Sequence, residues 1–181
     1  MRPLAALLAV SLLAAPAAAQ LIPDDTSPEK VADGYRFTEG PAAGPDGCIY
    51  FTDIPAELIL KYNPETGETE TVVEESGQAN GLMFDAHGQL IACHHGLRLV
   101  SNVRILESGR LFHVASDRKF AGNQLNSPND LDIDQDGNIY FTDPRYGNRD
   151  SMEMDVEGVY FQRLIDEAAE ENPEMRFFRG P

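Results

Sequence analysis

The sequence predicts an all-β fold, a partial β-propeller of about three to three and a half blades. Three observations carry that prediction. First, three segments align without gaps: EGPAAGPDGCIYFTD from Glu39, NGLMFDAHGQLIACH from Asn80 and NDLDIDQDGNIYFTD from Asn129. Second, these frames start at positions 39, 80 and 129, in steps of 41 and 49 residues, the period of a four-stranded blade. Third, each step holds about four short strand-like runs separated by turn residues.

The frame itself reads strand, tight turn, strand. Each copy opens on Glu or Asn and carries Gly eight positions later (Gly47, Gly88, Gly137). An aliphatic residue follows at plus ten (Ile49, Leu90, Ile139), and a polar, metal-capable residue stands at plus fourteen (Asp53, His94, Asp143). The turns Pro45-Asp46-Gly47, Ala86-His87-Gly88 and Gln135-Asp136-Gly137 supply Gly where a tight turn needs positive φ. The runs after them are rich in Ile, Tyr, Phe and Thr, which suit a pleated, half-buried surface. Leu82–Asp85 and Leu131–Asp134 are the short strands before two of those turns. Between frames, Leu58–Tyr62 and Glu68–Glu74 flank Asn63-Pro-Glu-Thr-Gly67, and Arg104–Leu106 and Arg110–Ala115 flank Glu107-Ser108-Gly109. The one helical candidate is Gln162–Glu171, with a weak apolar face at Leu164-Ile165 and Ala168-Ala169, read as an insertion between strands.

Composition bounds the function. Asp and Glu number 30 against 14 Lys and Arg, a formal net charge of −16, which excludes an electrostatic grip on nucleic acid. Hydrophobic residues make up 42%, enough for a packed core. At the front, Met1–Ala19 has Arg2, an apolar run from Leu4 to about Ala15 and Ala17-Ala18-Ala19 before Gln20, the pattern of a secretory signal peptide. Its apolar run falls short of the roughly 18–20 residues of a membrane span, and no Cys follows it for lipid attachment. Residues 20–181 are then the mature chain, 162 residues with a net charge of −17, periplasmic or secreted and without a membrane anchor. Two cysteines build no disulfide framework; Cys48 and Cys93 sit in strand-like segments of different frames and read as buried free thiols, with a bridge as the alternative. Propellers close with four or more blades, so residues 20–181 are expected to be the N-terminal half of a longer propeller domain, or else several copies assemble.

In a propeller the innermost strands line a central channel, and equivalent positions of successive blades form a ring around it. Glu39, Asn80 and Asn129 share one register, so their oxygens are placed to converge. A carboxylate with amide carbonyls and no thiolate is a hard-oxygen set suited to Ca²⁺ or Mg²⁺. Asn80-Gly81 and Asn129-Asp130 also read as ordinary turn dipeptides. Asp132, Asp134, Asp136, Gly137 and Asp143 mimic an EF-hand loop, but Asn126-Ser-Pro-Asn129 before it and Ile-Tyr-Phe-Thr after it favour turn and strand over the required helices. His94 and His95 point to opposite strand faces and cannot share one ion; His94 is expected at the channel mouth and His95 in packing, while His87 and His113 read as ordinary surface or strand residues. No G-x-S-x-G nucleophile motif occurs.

At Phe37-Thr-Glu-Gly-Pro41, Asn126-Ser-Pro-Asn-Asp130 and Ile139-Tyr-Phe-Thr-Asp-Pro-Arg-Tyr-Gly147, the sequence resembles the gluconolactonase and regucalcin (senescence marker protein) family and, more distantly, diisopropyl-fluorophosphatase. Ala92-Cys93-His94-His95-Gly96 looks like the bacterial lactonase branch, and the similarity runs over Val31–Pro181. The resemblance implies a six-bladed propeller that hydrolyses sugar lactones around one divalent cation, Ca²⁺ first, with Mg²⁺, Mn²⁺ and Zn²⁺ as alternatives. It implies Glu39 and Asn129 as metal ligands, Asn129 touching substrate instead in some branches, with Asp130 beside it. Asn80, His94, Asp130 and Tyr146 are the expected substrate-pocket residues. It also implies that another Asn ligand and the general-base Asp lie beyond Pro181, so no catalytic residue is assigned in this chain, which on this reading is inactive or very weak alone. The competing reading is a non-catalytic binding propeller or a calcium-binding structural module.

Overall fold

The computed structural model describes residues 26–105, 111–115, 119–163 and 175–178. The expected signal peptide lies outside the described residues, as does nearly all of the helical candidate; its first two residues, Gln162 and Arg163, end a strand.

Among the described residues from Val31 onward, the strands form three four-stranded antiparallel meanders and one two-stranded hairpin. The first is β1 (Thr38–Ala43), β2 (Ile49–Asp53), β3 (Leu58–Tyr62) and β4 (Thr69–Val73). The second is β5 (Ala79–Phe84), β6 (Leu90–His94), β7 (Leu99–Ile105) and β8 (Leu111–Ala115). A two-stranded hairpin, β9 (Lys119–Phe120) with β10 (Asn123–Gln124), leads to the third: β11 (Leu131–Ile133), β12 (Asn138–Asp143), β13 (Gly158–Arg163) and β14 (Met175–Phe178). Each aligned frame of the sequence is the first hairpin of one sheet, and the turn residues Gly47, Gly88 and Gly137 take φ of 79°, 76° and 79°. Asp134 caps its turn, accepting from the Asp136 and Asn138 amides and from the Tyr140 hydroxyl; no helix flanks the aspartate ladder, so it is hairpin and not an EF-hand. Strand β7 starts at Leu99, five residues ahead of the run expected from Arg104, because Leu99–Val103 pairs along the whole of β6.

The sheets stack face to face, and β6 shows why. Its five residues are all buried. Leu90 and Ala92 join a core with Tyr50, Ile59 and Val73 of the first sheet, while Ile91 and Cys93 join a second core with Ile139, Phe141 and Tyr160 of the third. Period-two alternation, which in a two-layer protein separates core from solvent, here separates one core from another. Cys48 and Cys93 therefore belong to different cores and are free thiols.

The inner strands approach more closely than side chains allow. Gly40 lies in the left-handed region, at φ 54°, where a Cβ would collide with the Asn80 carbonyl oxygen. A Cβ on Gly81 would stand 2.7 Å from the Asn129 carbonyl oxygen and 2.5 Å from Asp130 Oδ1. The Gly81 amide donates to that Asn129 oxygen at 2.7 Å, and the Thr52 hydroxyl lies 3.1 Å from the carbonyls of both Glu39 and Asn80.

Gly81→Ala, which forces backbone against backbone, is expected to cost about 3 kcal/mol or more in urea unfolding. Gly137→Ala, at positive φ but facing open space, is expected to cost about 1–2 kcal/mol. Equal losses would mean that Gly81 is not there for sheet-to-sheet approach.

Candidate functional site

The three frame openers stand at or just before the first strands of the three sheets. Glu39 lies in β1, Asn80 in β5 and Asn129 two residues before β11, where its amide pairs with the Thr142 carbonyl. Asn80 and Asn129 meet directly: Asn80 Nδ2 donates to Asn129 Oδ1 at 2.9 Å. The Tyr146 hydroxyl donates to the same oxygen at 3.2 Å. Asn80 is buried, Asn129 half-buried, and Tyr146, in the loop after β12, is 50% exposed. Glu39 is exposed and adjoins Asn80 through the backbone; among the described residues no hydrogen bond joins its carboxylate to the two amides. Asp130 is exposed, with Oδ1 accepting from the Leu131 amide and its own amide donating to the Thr142 hydroxyl.

The expectation for His94 fails on geometry. It is fully buried, with Nδ1 2.7 Å from the Ser76 carbonyl and Nε2 2.8 Å from Ser101 Oγ. A carbonyl only accepts, so Nδ1 carries the proton and Nε2 accepts from the Ser101 hydroxyl. Both nitrogens are spent inside the protein because β6 lies between two cores and has no open face. Its neighbour His95 is the more open member of the pair. Just past β6, its ring is half-buried and stacks on Tyr146, centroids 5.7 Å apart and planes 13° from parallel.

The plus-fourteen position is a fastener. Asp53 accepts from the amides of Arg36 and Phe37, three and two residues ahead of its opener. Asp143 accepts from the amides of Asn126 and Ser127, at the same two places ahead of Asn129. His94 grips the Ser76 carbonyl, and Ser76 Oγ accepts from the Ala79 amide one residue before Asn80. Each blade thus ties the loop that leads into its opener.

Two arginines complete that tie in the third blade, and the sequence reading missed both. Arg98 Nε donates to the carbonyls of Leu125 and Asn126; Arg145 donates to the Asn126 carbonyl and the Ser127 hydroxyl. With its amides on Asp143 and its carbonyls on guanidinium groups, the loop before Asn129 is held from both sides. Arg98 adopts φ 57°, a backbone shape that no composition rule signals. Arg145 stood in a quoted motif, and its closeness to Tyr146 was the available signal. Burial pushes the Asp143 carboxyl up to about 6, against the pull of its two amide donors and of Arg98 and Arg145. Burial, and then Arg145, holds His95 below the usual imidazole value.

Among the described residues no three His, Cys, Asp or Glu side chains cluster as a metal site. The donor set at the openers is of another kind, one carboxylate and two amide oxygens, which fits a hard cation. Asn129 Oδ1 already accepts two hydrogen bonds, while among the described residues no donor reaches Asn80 Oδ1. Three side chains supply a minority of the roughly six to eight oxygens that Ca²⁺ takes.

Three stacked meanders with openers at or just before their first strands define the chain as part of a β-propeller. Residues 37–172 match the family model SMP-30/gluconolactonase/LRE-like region, and the chain belongs to that family. It is 29% identical to a gluconolactonase of Zymomonas mobilis subsp. mobilis, covering 73% of this chain and 41% of the relative. Its structure is similar to a gluconolactonase from Xanthomonas campestris, with TM-score 0.65 and 29% identity, over 72% of this chain and 45% of that one. It is equally similar to a putative gluconolactonase, with TM-score 0.64 and 30% identity, over 75% and 48% of the two chains. A virginiamycin B lyase from Staphylococcus aureus, at TM-score 0.53 and 12% identity, shares the fold alone. The three sheets are thus blades of a partial six-bladed propeller, and the chain spans about half or less of the length of these relatives.

For a carboxyl raised from 3.8 to about 6, the stabilising contribution is full below pH 3.8 and is lost as pH rises through about 6. The stability of the wild type relative to Asp143→Asn is therefore expected to fall between about pH 4 and pH 7, measured by urea midpoints across that range. Asp143→Ala leaves two buried amides without an acceptor and is expected to cost about 2–4 kcal/mol near pH 4, a cost that shrinks over the same pH range because alanine does not titrate.

Proposed function

We propose that this chain carries part of the active site of a metal-dependent hydrolase of sugar lactones. The observation that carries the reading is the Asn80–Asn129 amide pair, bridging two blades where the Glu39 and Asn80 carbonyls share the Thr52 hydroxyl, in a chain of the gluconolactonase family. Glu39 and Asn129 would hold a divalent cation, Ca²⁺ by the hardness of the donors, the Asn129 oxygen exchanging one of its two hydrogen bonds for the metal while Asn80 lines the pocket beside it. When bound, such a cation polarises the lactone carbonyl and stabilises the developing oxyanion.

The chain's own residues bind and orient. Asn129, held by Asn80 and Tyr146, keeps one amide rotamer beside the channel, so its contact with metal or substrate requires no ordering at the moment of reaction. Tyr146 walls the mouth on one side, and Asp130, exposed next to Asn129, adds negative charge there. His94 has no part in substrate binding. The carboxylate that activates water is assigned to no residue among these, and the parts of the relatives that this chain does not span would supply it. The pattern of residues 1–19 supports a periplasmic or secreted location, where small neutral sugar lactones are accessible without nucleic-acid or membrane contact.

Glu39→Gln keeps the shape and removes the charge. In calorimetric titration of the chain with Ca²⁺ it is expected to weaken binding about tenfold or more, and in a chain of the relatives' full length to lower acid release from D-glucono-1,5-lactone in parallel. Hydrolysis that survives both Glu39→Gln and chelation of divalent cations would sink the proposal.

A further inference from the structure

We infer that His95 is a positioning residue, whose ring backs Tyr146 and so keeps the Tyr146 hydroxyl on Asn129, leaving the open side of Tyr146 as a platform for the C–H face of a sugar ring. The ligand class rests on the lactonase reading above; the positioning rests on the side chains alone.

The geometry runs across two blades. The His95 amide donates to the Gln78 carbonyl at 3.0 Å, which fixes it at the turn after β6 beside the residues leading into Asn80. Tyr146 comes from the loop after β12 in the next blade. Their rings lie nearly parallel, 5.7 Å apart, above the place where Asn80 and Asn129 also join those blades. A tyrosine in a loop, half in solvent, has two freely turning side-chain bonds. Stacking on a ring whose backbone is held to the neighbouring loop restricts that freedom and aims the hydroxyl at one oxygen. Arg145 is the charged group beside His95, and it is committed to the carbonyls of Asn126 and Asn148 and to the Ser151 hydroxyl. With the imidazole held neutral, the stack places no second positive charge beside the openers. The exposed half of Tyr146 is left without a packing explanation. An aromatic face with negative quadrupole, standing next to amide groups, matches a ring that is apolar on one side and hydroxylated at its edge.

The test uses the isotope-labelled chain from Gln20 and follows the side-chain amide of Asn129 by nuclear magnetic resonance. His95→Ala is expected to move that signal towards the position of a free amide, His95→Phe to restore it, and Tyr146→Phe, which keeps the stack but lacks the hydroxyl, to move it again. The probe for the platform is 1,5-anhydro-D-glucitol, a sugar ring without a lactone bond. Saturation transfer from tyrosine to its ring protons is expected in the wild type and absent in Tyr146→Ala, with binding up to about tenfold weaker in His95→Ala. An unmoved Asn129 amide in His95→Ala overturns the inference, whether or not the protein hydrolyses lactones. A moved amide with no transfer to the sugar overturns the platform and leaves the positioning supported.

Discussion

The close approach of the inner strands is the constraint on which the site depends. Gly40 against the Asn80 carbonyl and Gly81 against the Asn129 carbonyl let neighbouring blades meet backbone to backbone at the channel. The Gly81 amide and the Thr52 hydroxyl then tie those carbonyls across the gap. A hydrogen bond of 2.9 Å between the side chains of Asn80 and Asn129 exists only because their main chains are already this near. Hydrophobic stacking of the sheets brings the blades together but tolerates small shifts. The glycine contacts remove that tolerance where a polar site needs it.

The same need explains the residues at plus fourteen. An opener is useful only if the loop before it is fixed, and each blade fixes that loop from the end of its own second strand. Where the loop offers amide groups, the fastener is an aspartate, as with Asp53 and Asp143. Where it offers a carbonyl, the fastener must donate, and the middle blade has His94. One position thus carries two chemistries for one purpose, and the residue type follows the polarity of the backbone group that it meets.

Much of the fold was legible in the sequence because its cause is local. Turn glycines, plus-ten aliphatics and the Ile-Tyr-Phe-Thr runs set hairpins whose partners lie no more than 15 residues apart, as in Thr38 with Asp53. The openers were legible as a register for the same reason. What failed depends on which blade faces which. Alternation along a strand does not reveal that both faces of β6 are buried or that the strand ends at His94, so the partly open histidine is His95, just past the strand's end. Arg98 reaches its carbonyls across 27 and 28 residues of chain, a distance that no local pattern encodes.

The third opener shows how a repeat is bent to a purpose. At the position after the opener, the first two blades carry glycine and the third carries Asp130. Asp130 Oδ1 and the Asn129 carbonyl occupy the space that a Gly81 side chain would need, so Gly81 and Asp130 are a matched pair across the blade boundary. Among the described residues the carboxylate makes no salt bridge. It caps the Leu131 amide and stays exposed, next to an amide held by two donors. A glycine in one blade therefore makes room for a charge in the next, and the charge stands beside the polar group that the close packing brought into place.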